Sequence, residues 1–387
     1  MKKIAVAFVM FLIVNTATLG LCPGSVTSFS LNNILDEKQE NDDFQLVSTI
    51  IHRISDRVFR HYEKCHMLNQ KSSNNPLSDF VFLPKDIELK DDAFHGSETL
   101  HFTEWWYFDA VLDKGYSIQV SIQVIEMINL ELVMAKLNVY HNEKLLVAQE
   151  QIYLPDDFYA SSDIPLIKLE GKPVMSGYTR HGQWFYDLSL EMADTAAELQ
   201  FVGDAKGWKG KAPVGGWAVI LPKAEVSGTL TINGVKKEVT GVGYHDHNWE
   251  LTAQAGANFG WYWGKIHANI LTATWSSIMK TRAGYDPILV INVGQYEYIN
   301  IRPEHVQFLV KEYTVKNLRF IPREISLIAN TKEVSVEITM TALDVHHIQI
   351  GPIKYWRYHM QCTGSIRVDS HVEKVDTIQI AECIRFR

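Results

Sequence analysis

Most of the chain after Pro84 has the hydrophobic pattern of β-strands. Apolar and polar residues alternate, or β-branched residues run together, in short segments that Gly, Asn and Asp separate. Clear examples are 116–125, 136–140, 185–190, 228–232 and 334–340. Asn233-Gly234 joins two such segments and is a strong hairpin signal. Because few stretches beyond Leu100 have a helical period, we predict an antiparallel all-β structure whose length requires two sheets or barrels.

The segment 44–62 has a different period. Its apolar residues are spaced three and four apart, and Glu, Asp, Arg and His occupy the other face. This spacing predicts an amphipathic helix, which we expect to pack on the main body or against a partner.

The first 28 residues have the layout of a secretory signal. Lys2 and Lys3 precede an apolar run that ends at Val14, and small residues continue to Ser28. The run is shorter than the ~20 residues that a bilayer span needs. We therefore predict export, with an uncleaved membrane anchor as the alternative, and the bulky Leu21 before Cys22 argues against a lipoprotein. The predicted division is 1–28 signal or anchor, 29–84 helical and linker region, 85–250 first β domain and 251–387 second β domain.

Composition and charge narrow the function classes. The chain is 46% hydrophobic and carries a net charge of -8, so it is neither disordered nor an electrostatic match for nucleic acid. The motifs of serine hydrolases, phosphate-binding loops, dinucleotide sites and zinc proteases are missing. We therefore expect no cofactor and no nucleic-acid partner.

Two late cysteines lie on segments that read as paired strands. A turn in the middle of 369–374 would place Cys362 and Cys383 opposite each other within one register step. In an oxidising compartment they could form a cross-strand disulfide. Two separate buried thiols are the alternative.

The segment 241–250 carries the most chemistry. On an extended strand, His245, His247 and Trp249 share one face, and Asp246 lies on the other. Imidazoles titrate near neutral pH, so the two histidines could act as proton donor and acceptor.

Two other interpretations of these histidines stay open. They could bind a metal, for which Glu104 or His267 would have to supply a third ligand. Alternatively, they could hydrogen-bond to each other and to the backbone and thereby close one end of a barrel.

A second candidate segment is 101–109. Its alternation places Trp105 and Tyr107 on one face and Glu104 on the other, beside further aromatic residues. A carboxylate among indoles loses hydration, which raises its pKa and suits it to act as an acid. A salt-bridged glutamate at a barrel rim is the structural alternative.

A third candidate segment, 261–267, is rich in aromatic residues. Trp261 and Trp263 could form a wall for a polyene, prenyl or polyketide ligand and could stabilise a carbocation. Core packing is the alternative. This segment is similar to 104–108, and both precede apolar strands, which indicates an internal duplication.

Together the three segments resemble the lipocalin-like AttH/CrtC superfamily, which includes carotenoid 1,2-hydratases, kievitone-hydratase-like proteins and fungal decalin-forming pericyclases. The resemblance rests on 103–107, 241–249 and 261–264 and covers about 100–278. It implies two consecutive lipocalin-like antiparallel β-barrel domains, here preceded by the N-terminal amphipathic helix, with a pocket between or within them. His247 and Trp249 match the family's His-Asn-Trp element.

Two departures from the family pattern concern the reaction. The carotenoid hydratases have a Tyr-x-Asp pair some 25 residues beyond His-Asn-Trp, whereas this chain has no acid in 271–276. Glu250 also stands where glycine is usual. Strict carotenoid hydration is therefore not expected.

These observations predict an exported protein that binds a hydrophobic small molecule or lipid and hydrates, isomerises or cyclises an unsaturated substrate. His247 and His245 would handle protons, Asp246 would orient an imidazole or act as an acid, and Glu104 is the reserve acid. The expected substrate-binding residues are Trp105, Tyr107, Trp249, Trp261 and Trp263. A non-catalytic carrier is the main alternative, and an adhesion protein that uses segment 44–62 is a third. The N-terminus could associate with a membrane surface.

Overall fold

The computed structural model describes residues 80–96, 101–127, 130–251, 259–280, 284–316, 319–350 and 353–386. The export signal in 1–28, the helix over 44–62, and Cys22 and Cys65 lie outside the described residues. Apart from Ile350, the described residues belong to one compact unit. None of their helices is long and apolar enough to cross a membrane.

The first sheet is antiparallel and contains twelve strands. They are β1 His101–Leu112, β2 Tyr116–Met127, β3 Leu130–His141, β4 Lys144–Tyr153, β5 Phe158–Ala160, β6 Leu166–Leu169, β7 Lys172–Arg180, β8 Gln183–Met192, β9 Thr195–Gly203, β10 Trp208–Ala212, β11 Gly215–Ile232 and β12 Val235–Leu251. Their order is β4-β3-β2-β1-β12-β11-β9-β8-β7-β6-β5, and β10 pairs with β11. Tyr153 in β4 and Leu169 in β6 share one core, so the sheet curls into a nearly closed barrel.

The second sheet is antiparallel and contains nine strands. They are β13 Gly260–His267, β14 Leu271–Met279, β15 Tyr285–Val293, β16 Glu297–Ile301, β17 Val306–Lys316, β18 Arg319–Asn330, β19 Val334–Ile350, β20 Ile353–Val368 and β21 His371–Arg385. Their order is β16-β15-β14-β13-β21-β20-β19-β18-β17. The described helices are single 3₁₀ turns at Leu89–Asp92, Asp113–Gly115, Pro155–Asp157 and Pro303–His305.

The chain folds into two antiparallel sheets, which confirms the predicted all-β class. The two sheets also have the same strand connectivity. In each sheet, the first four strands are neighbours in chain order, and the last strand returns to pair with the first strand. The aromatic segment 104–108 lies in β1, and 261–264 lies in the corresponding strand β13. The division of the chain at residue 250 stays a prediction.

Side-chain alternation gives each sheet an inner core and an outer face. In β1, Trp106 and Phe108 enter the core of the first sheet, whereas Tyr107 joins a separate aromatic cluster. That cluster also contains Tyr244 from β12 and Trp263 from β13. The two sheets therefore pack against each other through their outer faces, and successive residues of one strand enter different buried environments.

The predicted disulfide does not form. The turn between β20 and β21 lies at 369–370, where Asp369 has φ 52°, and Val368 pairs with His371. This turn is two residues earlier than predicted, so Cys362 faces Thr377 and Cys383 faces Trp356. Both thiols are free and buried, and burial raises their pKa values, to about 12 for Cys362 and about 11 for Cys383.

Equivalent glycines mark close approaches in the two sheets. Gly228 in β11 has φ 145°, and Gly364 in β20 has φ 141°. A Cβ on either one would lie 2.1 Å or 2.0 Å from a glutamate carbonyl oxygen of the next strand, β9 or β19. Only glycine combines this backbone conformation with that contact.

We expect Gly364→Ala to lower the free energy of unfolding by about 3 kcal/mol or more, because it adds backbone strain and a clash with a rigid carbonyl. Gly234→Ala is the control, since Gly234 has φ 74° and nothing within 4 Å of an added Cβ. The control should cost about 1 kcal/mol. Urea unfolding of both variants measures the difference, and equal losses would contradict the proposed clash.

Candidate functional site

The strand faces divide the candidate residues into two groups. His245, His247 and Trp249 of β12 point into the first barrel, as their alternation predicts, together with Glu104 of β1. Asp246 lies on the outer face and is directed toward the second sheet. Because adjacent residues of a strand point in opposite directions, the predicted residues cannot form one site.

The inner group forms a histidine–carboxylate cluster of Asp92, Glu104, His245 and His247, all with 0% exposure. Asp92 comes from the 3₁₀ turn before β1 and was not predicted. His247 Nε2 lies 2.9 Å from Glu104 Oε1, and its Nδ1 lies 3.4 Å from Asp92 Oδ1. His245 Nε2 lies 3.0 Å from Asp92 Oδ2. Each imidazole therefore faces a carboxylate.

The carboxylates favour the protonated form of His247. Burial alone would lower the pKa of His247, but the hydrogen bond to Glu104 and the charges of Glu104 and Asp92 outweigh it. The net result is a raised pKa, since each opposite charge favours the imidazolium. His247 Nδ1 donates to the Asp91 carbonyl oxygen at 3.2 Å, and the ring stacks on Trp106 at 4.6 Å.

His245 is fixed in a similar way. Its Nδ1 lies 2.9 Å from the Tyr107 carbonyl oxygen, which can only accept, so this nitrogen carries a proton. Its ring stacks on Phe108 with centroids 3.8 Å apart. The Tyr186 hydroxyl donates to Asp92 Oδ2 at 2.6 Å and thereby fixes the carboxylate that faces His245.

The loop beside the cluster brings a third imidazole to the surface. Glu104 accepts hydrogen bonds from the backbone N–H groups of His95 and Gly96 at 2.9 and 3.0 Å. The exposed His95 ring stacks on Trp249 with centroids 4.2 Å apart and lies 5.2 Å from the ring of His247. His95 and Trp249 together cover His247 on this side.

Two neighbouring imidazoles thus have opposite pKa shifts. Partial burial, followed by the charge of His247, lowers the pKa of His95, whereas that of His247 is raised. His95 Nε2 lies 3.1 Å from the Asp91 carbonyl oxygen and must donate to it. In neutral His95 the lone pair is consequently on Nδ1. Environments that separate the pKa values of adjacent groups are typical of acid–base sites.

The outer face holds a second group of buried charges, the inter-sheet cluster of Asp109, Asp246, Lys265, Arg357 and Glu382. Lys265 of β13 forms an ion pair with Asp109 of β1. Arg357 Nη2 lies 2.9 Å from Glu382 Oε1 within the second sheet, and its Nη1 donates to Gln119 Oε1 at 2.7 Å. The sheets therefore meet through paired charges as well as aromatic rings.

Asp246 does not orient an imidazole, contrary to one of its predicted roles. Its Oδ2 accepts hydrogen bonds from the Tyr244 hydroxyl at 2.8 Å and from Trp217 Nε1 at 3.0 Å. Burial raises its pKa to about 7, although these two hydrogen bonds oppose the shift. Asp92 and Glu104, on the inner side, orient the histidines instead.

The aromatic candidates are divided in the same way. Trp249 belongs to the inner side, whereas Tyr107 and Trp263 meet between the sheets with ring centroids 5.3 Å apart. Trp105 and Trp261 are partly buried against the same outer aromatic cluster. The structure thus brings together only one of the five predicted substrate-binding residues with the histidines.

The predicted third metal ligands do not join both histidines. Glu104 is hydrogen-bonded to His247, whereas His267 lies in the second sheet and donates from Nε2 to the Pro222 carbonyl oxygen at 2.9 Å. Burial, then the charge of Lys265, lowers the pKa of His267 to about 3. Within the described ranges, no three His, Cys, Asp or Glu side chains are arranged as ligands of one metal ion.

The fold is similar to those of solved proteins, all at low sequence identity. A Nitrosomonas europaea protein provisionally assigned as AttH has a TM-score of 0.58 and 13% identity, with 81% of this chain and 99% of that chain covered. This likeness confirms the lipocalin-like fold that the resemblance implied. CghA (TM-score 0.44, 11% identity, 74% and 88% covered) and kievitone hydratase from Nectria haematococca (0.41, 9%, 73% and 88%) match less well. No family model and no curated protein matches the chain.

We expect Glu104→Gln to lower the pKa of His247, because it removes the charge and the hydrogen bond that favour the imidazolium. In the wild type this pairing stabilises the fold fully below about pH 6.5 and is lost as the pH rises through the raised pKa. The variant should be about 3 kcal/mol less stable at low pH, with a smaller difference at high pH. NMR titration of the histidine side chains and urea unfolding at several pH values measure both effects.

Glu373→Gln is the matched control, because Glu373 also accepts two backbone N–H groups, from Ile270 and Leu271. It should cost stability without moving the pKa of His247. An unchanged His247 pKa in Glu104→Gln would contradict the assigned pairing.

We expect Asp246→Asn to gain stability relative to the wild type as the pH rises. The folded-state pKa of Asp246, about 7, lies above its ordinary 3.8, so ionisation opposes folding progressively between these values. The full difference corresponds to about 4 kcal/mol. Unfolding from pH 4 to 8 measures it, with the exposed Asp187→Asn as a control that should give a flat difference. A flat difference for Asp246→Asn would contradict the raised pKa.

Proposed function

We propose that this chain is a cofactor-free acid–base enzyme that binds a hydrophobic unsaturated small molecule and hydrates, isomerises or cyclises it. The observation that carries the proposal is the pair of imidazoles with opposite pKa shifts at the open side of the histidine–carboxylate cluster. His95 is exposed and has a lowered pKa, and the ring of His247, whose pKa is raised, lies 5.2 Å from it between ring centroids.

The geometry assigns different roles to the two rings. Both nitrogens of His247 face protein acceptors, Glu104 and the Asp91 carbonyl, so its role is to supply a fixed positive charge. His95 Nδ1 has no bonded partner among the described residues and can take a proton from a substrate carbon or from water. His95 is then the catalytic base, and His247 is a positioning residue that keeps it neutral.

The aromatic surroundings support an unsaturated and apolar substrate. Trp249 lies against His95, and Trp106 lies against His247. Indole faces provide apolar, π-rich contact for an unsaturated chain. Removal of a proton beside a polarised double bond, with its return at another carbon, gives isomerisation. Hydration follows when His95 accepts a proton from water, the hydroxide adds to one carbon of the double bond, and the protonated His95 returns that proton to the adjacent carbon.

A non-catalytic carrier is the second candidate, and the hydrogen bonding of the cluster favours it. His245 and His247 are fully buried, and every ring nitrogen of both faces a carbonyl or carboxylate oxygen. A network of this kind is sufficient to attach the 3₁₀ turn at Leu89–Asp92 to β1 and β12, and it needs no catalytic role. Export through 1–28, with membrane-surface attachment if that segment is retained, stays a prediction.

We expect His95→Gln to lower turnover by about 10²–10⁴-fold with little change in melting temperature, because a surface base is lost without disturbing the core. Mass spectrometry of small molecules extracted from the purified His95→Gln variant identifies the retained substrate, and conversion of that compound by the wild type gives the rate. Activity should rise with pH through the lowered pKa of His95 and fall through the raised pKa of His247.

His247→Gln is the companion variant and should lose both activity and stability. Recovery of the same extracted compound, unconverted, from the wild type and from His95→Gln alike would exclude the enzyme and leave the carrier.

A further inference from the structure

A cleft of about 400 Å³ lies away from the strands of the histidine–carboxylate cluster. It is formed by the β7–β8 turn, the connection between β9 and β10, the segment before the 3₁₀ turn at Leu89–Asp92, and the β15–β16 turn. Its volume is within the range of small-molecule sites. Neither the histidines nor the inter-sheet cluster contributes a side chain to it.

The walls of the cleft are fixed by hydrogen bonds to one short segment. Gln183 Nε2 and Gln295 Nε2 both donate to the Gly203 carbonyl oxygen at 3.1 Å. The Lys206 N–H donates to the Gly294 carbonyl oxygen at 3.0 Å, and Asn292 Nδ2 donates to the Lys206 carbonyl oxygen at 2.6 Å. The turns of both sheets are thus held in place before any ligand arrives.

The polar groups of the cleft suit a neutral ligand with many hydroxyl groups. The single Nε2 bond of each glutamine leaves its Oε1 as an acceptor. Lys206 Nζ is 2.9 Å from Asp86 Oδ1 and lies over the Tyr298 ring, so its charge is already balanced. Tyr298 also donates to Asp86 Oδ1, which leaves Oδ2 as a further acceptor. Hydroxyl donors, rather than an anion or a cation, match this set.

Two aromatic rings complete the cleft. Tyr296 is 86% exposed, and Trp184 is half-buried. An exposed aromatic ring next to fixed amides offers an apolar face for C–H groups beside acceptors for hydroxyls. A sugar ring presents that combination. We propose that this cleft binds a sugar unit.

Saturation-transfer NMR on the full chain tests the proposal, with the methyl glycosides of glucose, galactose, mannose and N-acetylglucosamine at millimolar concentration as probes. At least one glycoside should bind with a Kd near 1 mM, and its signal should be centred on one face of the ring. Adenine and methyl phosphate, both of which carry carbon-bound protons, are the comparison ligands and should give no transfer.

Tyr296→Ala and Gln295→Ala should each raise the Kd of the glycoside at least tenfold. The first variant removes the ring face, and the second removes an acceptor. The melting temperature should stay unchanged in Tyr296→Ala, whereas Gln295→Ala also loses its hydrogen bond to the Gly203 carbonyl oxygen and should melt slightly lower. Tyr159→Ala is the matched control, since Tyr159 is a 52% exposed tyrosine outside the cleft, and it should bind normally. Binding of no glycoside, equal binding by the Tyr296 variant, or binding of adenine alone would each overturn the proposal.

Discussion

The alternation of side chains along β1 and β12 is the constraint on which the rest of the structure depends. The segments 106–110 of β1 and 243–247 of β12 are buried on both faces, so a polar residue there cannot reach water from either side and must find a partner. His247 finds Glu104 inside the barrel, while its neighbour Asp246 finds Tyr244 and Trp217 between the sheets. One short stretch of sequence therefore serves two unconnected polar environments.

These two environments have opposite electrostatic character. Inside the barrel, carboxylates and imidazoles alternate, and the pKa of His247 is raised. Between the sheets, burial raises the pKa of Asp109 even though Lys265 is paired with it, and it raises the pKa of Asp246, which has only neutral donors, to about 7. Nearby opposite charges therefore outweigh burial at His247, whereas burial outweighs the neighbouring groups at Asp109 and Asp246.

The local sequence was sufficient to predict the features that depend on the alternation of side chains along strands and on turn residues. Alternation predicted the all-β class and the faces of His245, His247 and Glu104, and Asn233-Gly234 joins β11 and β12. Asp92 and His95 were not predicted, because their role depends on a 3₁₀ turn that folds back over strands more than 140 residues later in the chain. The adjacent acids Asp91-Asp92 were the available signal, but nothing local shows which strand they face.

The hairpin of β20 and β21 shows how a small change in turn position has a distant effect. With the turn two residues earlier, Cys362 pairs with Thr377, which is six residues from Cys383 along β21. The two thiols are therefore too far apart along the hairpin to form a disulfide with each other. The described body is therefore held together by packing, hydrogen bonds and buried ion pairs, with no covalent crosslink between these two cysteines.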